Sequence, residues 1–242
     1  MGESHVGNNL WLFRAFRTLG PILAVVLNTK VCASFLGFGG TSWKEEAQQY
    51  NGSTIIVGRS QDYGGRVEVG QGAPIRDYRL SFTLPGSARA IEWESDYSED
   101  VGRANLHPLA VHVLNGTPYV ITEPNLCLAY NKWGRPNPPY VIFKYDDRQW
   151  QRIAIEELPT EFKGMNLVID TKNQEEEFKQ LSGKTGFVPA ADVRKFNSGL
   201  TQPEYKTIVR EALPETALCP NWNSPRYRSP KAPLPMKPLP EK

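Results

Sequence analysis

Recognition chemistry concentrates in one stretch, Tyr130-Asn131-Lys132-Trp133-Gly134-Arg135-Pro136-Asn137-Pro138-Pro139-Tyr140. Trp, Tyr and Arg are the residue types that anchor binding hot spots. Asn131 and Arg135 add directional hydrogen bonds, Lys132 adds a point charge, and Trp133 offers a ring face for a sugar or a peptide. The prolines limit the entropy lost on binding. The candidate binding set is therefore Tyr130, Asn131, Lys132, Trp133, Arg135 and Tyr140. The competing reading is a structural loop whose Trp133 folds back onto a sheet, because large aromatics in β proteins are mostly core.

Cysteine chemistry comes next. Cys32 lies at the end of an N-terminal apolar stretch, leaving Cys127 and Cys219 in the body of the chain. In an oxidising compartment such a pair is a disulfide candidate. Closing the segment between them would contribute about 4–5 kcal/mol in the chain-entropy model. The alternative is two unpaired thiols, Cys127 in a strand and Cys219 on a mobile tail. With no Cys-x-x-Cys present, neither a thioredoxin-type site nor a zinc ribbon is expected.

Other catalytic constellations are sparse. His107 and His112 are five apart and would face opposite sides of a strand. The acidic run Glu92 to Asp100 lacks the spacing of an EF-hand loop and reads as a solvated turn. Ser182-Gly183-Lys184-Thr185 hints at a phosphate loop, but Phe178 stands where its upstream Gly is required. There is no Gly-x-Ser-x-Gly elbow. Cys127 with either histidine could imitate a nucleophile–base pair. On these residues no metal, cofactor or catalytic residue is assigned.

The elements around these residues begin with residues 1–33. Arg14 and Arg17 precede the apolar run Leu19–Leu27, and Val31 and Ala33 stand where a signal peptidase reads small residues. This pattern is a secretory signal, or else a retained N-terminal anchor. Cys32 follows Thr29-Lys30-Val31, a poor lipobox. Removing residues 1–33 takes three of 28 basic and one of 26 acidic residues, leaving 25 of each. A neutral mature chain lacks the electrostatic footprint of nucleic-acid binding. Membrane contact would come only through residues 1–33.

Residues 34–42 form a Gly-rich linker, 43–213 a β-rich domain, and 214–242 a Pro-rich tail expected to be extended. Trp43–Tyr50 and Ser53–Arg59 flank Asn51-Gly52, a type I′ hairpin signal. Arg66–Val69 is a short strand. Tyr78, Leu80, Phe82 and Leu84 alternate with polar residues as in a half-buried strand. Pro85-Gly86 turns it toward Ala90–Glu94. Further strands are expected at Leu109–Leu114, Tyr119–Thr122, Leu126–Tyr130, Pro139–Tyr145, Trp150–Ile155, Asn166–Asp170 and Tyr205–Arg210. Two short helices, Lys172–Leu181 ended by Gly183 and Pro189–Phe196, lie near the C-terminal end. The fold class is mainly β, an antiparallel sandwich or open barrel with two short C-terminal helices.

Asn115–Ile153 carries the run NGTPYVIT followed by NLCLAYNKWGRPNPPYVIFKYDDRQWQRI, with TSWKEE at Thr41 and SFTLPG at Ser81. Together these resemble a family of short exported or lipoprotein-like bacterial proteins without assigned activity. The resemblance spans about Thr41 to Arg210 and implies no cofactor or catalytic residue. The expectation is a periplasmic or secreted, non-catalytic envelope protein. Its Tyr130–Tyr140 loop would bind another envelope protein or a cell-wall glycan. The alternatives are an envelope hydrolase using Cys127 or a carboxylate site, and a membrane-tethered structural component.

Overall fold

The computed structural model describes residues 39–67 and 69–222. The expected leader, most of the expected linker, Glu68 and residues 223–242 of the expected tail lie outside the described residues. Four antiparallel strands form a first sheet in the order β1 (Gly40–Gln48), β2 (Thr54–Tyr63), β3 (Ile75–Thr83) and β4 (Ala90–Glu94). A two-residue ribbon, β5 (Tyr97–Ser98) with β6 (Arg103–Ala104), leads to a second sheet. That sheet holds β7 (Leu106–Leu114), β8 (Thr117–Pro124), β9 (Val141–Asp146) and β10 (Gln149–Ile153), ordered β10-β9-β8-β7. Side chains from both sheets, among them Val57, Leu80, Phe82, Trp93, Val111, Val120 and Val141, share one apolar core. The chain is thus mainly β, an antiparallel sandwich.

Turn chemistry sets the registers. Asn115 and Gly116 both adopt left-handed φ (51° and 77°) and form the two-residue loop that pairs Leu114 with Thr117. That is the twist a tight hairpin needs. The hairpin at Asn51-Gly52 differs from expectation, because only Gly52 has positive φ. Gly52 N donates to Gln49 O at 3.0 Å and Gln49 N to Ser53 O at 2.7 Å. The turn is a three-residue loop with glycine in the left-handed position, another common hairpin solution. β1 begins at Gly40, inside the stretch read as linker. Arg66 and Val67 carry no strand, and the chain there bends back at Gly64 and Gly65.

In the second sheet, β7, β8 and the start of β9 are buried on both faces, while β10 is largely exposed. The sheet's outer face (Leu109, Tyr119, Ile121, Tyr140, Ile142) packs under Leu158, Phe162, Ile169 and Ile208 from the C-terminal third. α2 (Glu175–Thr185) and α3 (Ala190–Asn197) pack beside β1, where Trp43, Val168, Phe178, Val188 and Val193 form a smaller cluster. Three glutamates at 175–177 complement the positive end of the α2 dipole. α2 runs past Gly183 and stops at Gly186, whose left-handed φ of 83° favours glycine.

Two expected C-terminal strands are absent. Asn166–Ile169 is buried yet belongs to no ladder. Its backbone is paired one group at a time. Val168 N donates to Glu45 Oε1 (3.2 Å), Ile169 N to Asn197 Oδ1 (3.1 Å) and Leu167 N to Leu109 O (3.2 Å). β-Branched residues signal burial as well as strand, and here burial explains them. The expected strand at Tyr205–Arg210 is replaced by one helical turn, α4 (Pro203–Lys206), and an extended stretch anchored by Ile208 N to Lys163 O at 2.9 Å.

Candidate functional site

Leu126–Tyr130, expected as a strand, opens the helix α1 (Leu126–Lys132). Ala, Asn and Lys are depleted in strands, and Leu126, two residues after β8, has φ at 64°. The helix turns Cys127 toward Cys219, and the two form a disulfide with Cα atoms 5.3 Å apart. In this bonded form Cys127 offers no thiolate for nucleophilic attack. Of the two histidines it was weighed with, His112 is buried and bound to Gly164 O at 2.9 Å, and His107 Nδ1 lies 3.4 Å from Glu123 Oε1.

The loop after α1 is held from within. Trp133 caps the helix, its N–H donating to Ala129 O at 2.8 Å. Its indole packs edge-on against Phe143 at 6.3 Å, and the Arg152 guanidinium lies 5.5 Å over its ring. Trp133 thus folds back onto the sheet. Tyr130 is buried, with the Arg135 guanidinium 5.1 Å over its ring. Tyr140 is also core, its single hydroxyl proton shared between the carbonyls of Glu204 (3.0 Å) and Thr207 (3.2 Å) and its oxygen accepting from Val209 N (3.3 Å). Burial pushes the Tyr140 phenol well above its ordinary pKa. Lys132 is exposed and pairs with Asp100 at 2.8 Å.

The polar arms of the loop grip the chain's own segment 213–222, the first part of the stretch read as a free tail. Asn131 Nδ2 donates to Pro220 O (3.0 Å), and Asn131 Oδ1 accepts from Trp222 N (3.4 Å). Arg135 Nη1 donates to Cys219 O (2.8 Å). Asn137, outside the predicted set, makes a two-way clamp on Leu213: Nδ2 to O (2.9 Å) and N to Oδ1 (2.7 Å). The loop therefore holds backbone groups on either side of a 3-10 turn at Glu215–Ala217, and that segment is covalently tethered to α1.

This arrangement exposes a different set of side chains. Leu126 (60% exposed), Leu128 (45%) and Trp222 (41%) are among the most exposed large hydrophobics of the described residues. Helical spacing places Leu128, Asn131 and Lys132 on one face of α1, and the Trp222 backbone hangs from Asn131. Leu126 and Leu128 flank Cys127 in the sequence, and Trp222 stands three residues after Cys219, so these exposed apolar side chains sit on the two segments that the disulfide joins. Sequence reasoning missed them because a strand at Leu126–Tyr130 would have buried one leucine face.

Among the described residues no three or more His, Cys, Asp or Glu are grouped to hold a metal ion. No helix among them is long and apolar enough to cross a membrane. Comparison with protein-family models, curated proteins and solved structures finds no match.

Proposed function

We propose that the protein is an exported component of a bacterial cell envelope that binds a protein partner through the surface built by α1 and segment 213–222. One observation carries this reading: Leu126, Leu128 and Trp222 are exposed on two segments, α1 and 213–222, that a disulfide joins. Exposed aliphatic and indole side chains beside a lysine are the makings of a hot spot with a polar rim. Tethering keeps the surface ordered before the partner arrives, which lowers the entropic cost of binding. The leader pattern and the disulfide support export, since structural disulfides persist in oxidising compartments. A protein partner is favoured over a glycan because the Trp133 ring, where a sugar would stack, already packs against Phe143 and Arg152.

Site-specific photocrosslinking in the native host tests this. A photoreactive side chain at Leu128 should give a discrete adduct with one envelope protein. The same probe at Ile56, also exposed but on β2, should not. The purified partner should then bind wild-type protein and lose affinity for Leu128→Asp combined with Trp222→Ala. Identical adducts from both positions, or none from Leu128, would overturn the proposal.

A further inference from the structure

A cleft of about 360 Å³ opens where the β5–β6 ribbon meets the start of β3 and residues 169–173. Its charged walls are Arg66, Arg103, Lys172 and Asp170, with His107 and Asn125 beside them. Asp170 is already engaged, accepting from the backbone and side-chain amides of Asn173 at 3.2 and 3.1 Å. Arg103 and Lys172 have no side-chain partner among the described residues. Arg66 donates to the carbonyls of Glu99 (2.7 Å) and Asp100 (3.4 Å), which satisfy hydrogens without cancelling the charge.

The two arginines reach this cleft through a backbone junction that requires glycine twice. Arg66 N donates to Gly102 O at 2.8 Å. A Cβ on Gly65 would lie 2.3 Å from Gly102 O, and one on Gly102 would lie 2.7 Å from the Arg66 Cβ. Both glycines adopt left-handed φ, 85° and 74°. Each is followed directly by an arginine, so the docking of Gly65 on Gly102 delivers Arg66 and Arg103 to the same wall.

His107 supplies an unpaired polar atom in that wall. Its Nδ1 lies 3.4 Å from Glu123 Oε1, an oxygen that also accepts from the Tyr205 hydroxyl at 2.7 Å. Its ring stacks on Tyr78 at 5.1 Å. Its Nε2 is buried and has no partner among the described residues. An unpaired buried polar atom is costly, and a ligand oxygen reaching it after a small wall movement would remove that cost.

We propose that this cleft binds the carboxylate or phosphate group of a small anionic molecule. Three cations face one engaged acid there, whereas residues 34–222 as a whole carry 20 basic against 24 acidic side chains. A positive cleft in an otherwise acidic domain focuses its field on an anion. Arginine in particular matches the planar, two-oxygen geometry of carboxylate and phosphate.

Titration calorimetry of the full chain tests this with inorganic phosphate, glucuronate and, as a neutral control, glucose. Phosphate or glucuronate should bind saturably, more weakly as salt is raised, and glucose should not bind. The tighter of the two anions identifies the group recognised. Arg103→Gln with Lys172→Gln should weaken binding about tenfold or more at an unchanged thermal midpoint. Lys144→Gln, on β9 outside the cleft, should leave it unchanged. Absence of saturable binding by either anion, equal binding of glucose, or an unaltered affinity in the double variant would overturn the proposal.

Discussion

The Glu45 carboxylate and the Arg59 guanidinium meet at 2.9 Å with neither side chain reaching solvent. They stand on neighbouring strands and together clamp Val168. Glu45 Oε1 accepts its N–H, and Arg59 Nη1 donates to its carbonyl at 2.6 Å. Trp43 completes the pair, donating Nε1–H to Glu45 Oε2 at 2.8 Å and lying 4.9 Å beneath the guanidinium. The ion pair therefore replaces the ladder that segment 166–169 lacks, and it fixes the C-terminal layer to the first sheet.

Removing one member leaves an uncompensated buried charge and orphans one side of Val168. Glu45→Gln or Arg59→Met should each cost about 3–5 kcal/mol, seen as a lower urea midpoint at unchanged slope. The double replacement Glu45→Leu with Arg59→Met should cost less than the sum of the singles, because no charge is then stranded.

Segment 213–222 is held by a staple and by side-chain clamps, and the two contributions are separable. Cys127→Ser with Cys219→Ser opens a closure of 92 residues and should cost about 4–5 kcal/mol in the chain-entropy model. Segment 213–222 should then become a site of limited proteolysis in the still-folded domain.

Asn137→Ala removes both bonds to Leu213 while leaving the disulfide in place. These bonds are exposed, so global stability should fall by only about 1 kcal/mol. Amide exchange should accelerate at Leu213 and its neighbours, with Trp222 unaffected.

His112 makes stability depend on pH. Burial pushes its pKa from 6.5 down to about 4, with the bond to Gly164 O acting weakly the other way. Its ring stacks on Phe162 at 4.6 Å. The bond to Gly164 O makes Nε2 the donor, so Nδ1 faces the Asn166 amide as an acceptor. The unfolded chain thus takes up a proton that the folded one refuses between about pH 6.5 and 4. Stability from this group is complete above pH 6.5 and declines as pH falls through that window, by on the order of 3 kcal/mol. His112→Gln should lose visibly less stability than wild type between pH 7 and pH 4, measured by urea unfolding at each pH.

Much of the β architecture was legible because its signals are local. Asn115-Gly116 fixed one hairpin, and the alternation Tyr78-Leu80-Phe82 gave the buried face of β3. Cys127 and Cys219 were legible as a candidate pair, though their meeting depends on tertiary placement. The three missed strands share a pattern. Leu126–Tyr130, Asn166–Asp170 and Tyr205–Arg210 carry apolar residues whose backbone is satisfied by helix, side-chain clamps or single anchors rather than by ladders. The Tyr130–Tyr140 loop reads from the sequence as a binder of a protein or a glycan, while the segment its polar arms hold, about 80–90 residues onward, carries no local mark. The Gly65–Gly102 junction was equally hidden, because a close approach of two loops leaves no pattern in either.

The central claim is that an exported, oxidised chain presents α1 and segment 213–222 as one locked surface. Intact-mass analysis of the protein recovered from its native host, with and without thiol alkylation, tests it most directly. The account predicts a chain starting after Ala33 in the periplasm or medium, with Cys127 and Cys219 protected from alkylation until reductant is added. A full 242-residue chain in the cytosol, alkylated at both cysteines without reductant, would contradict it.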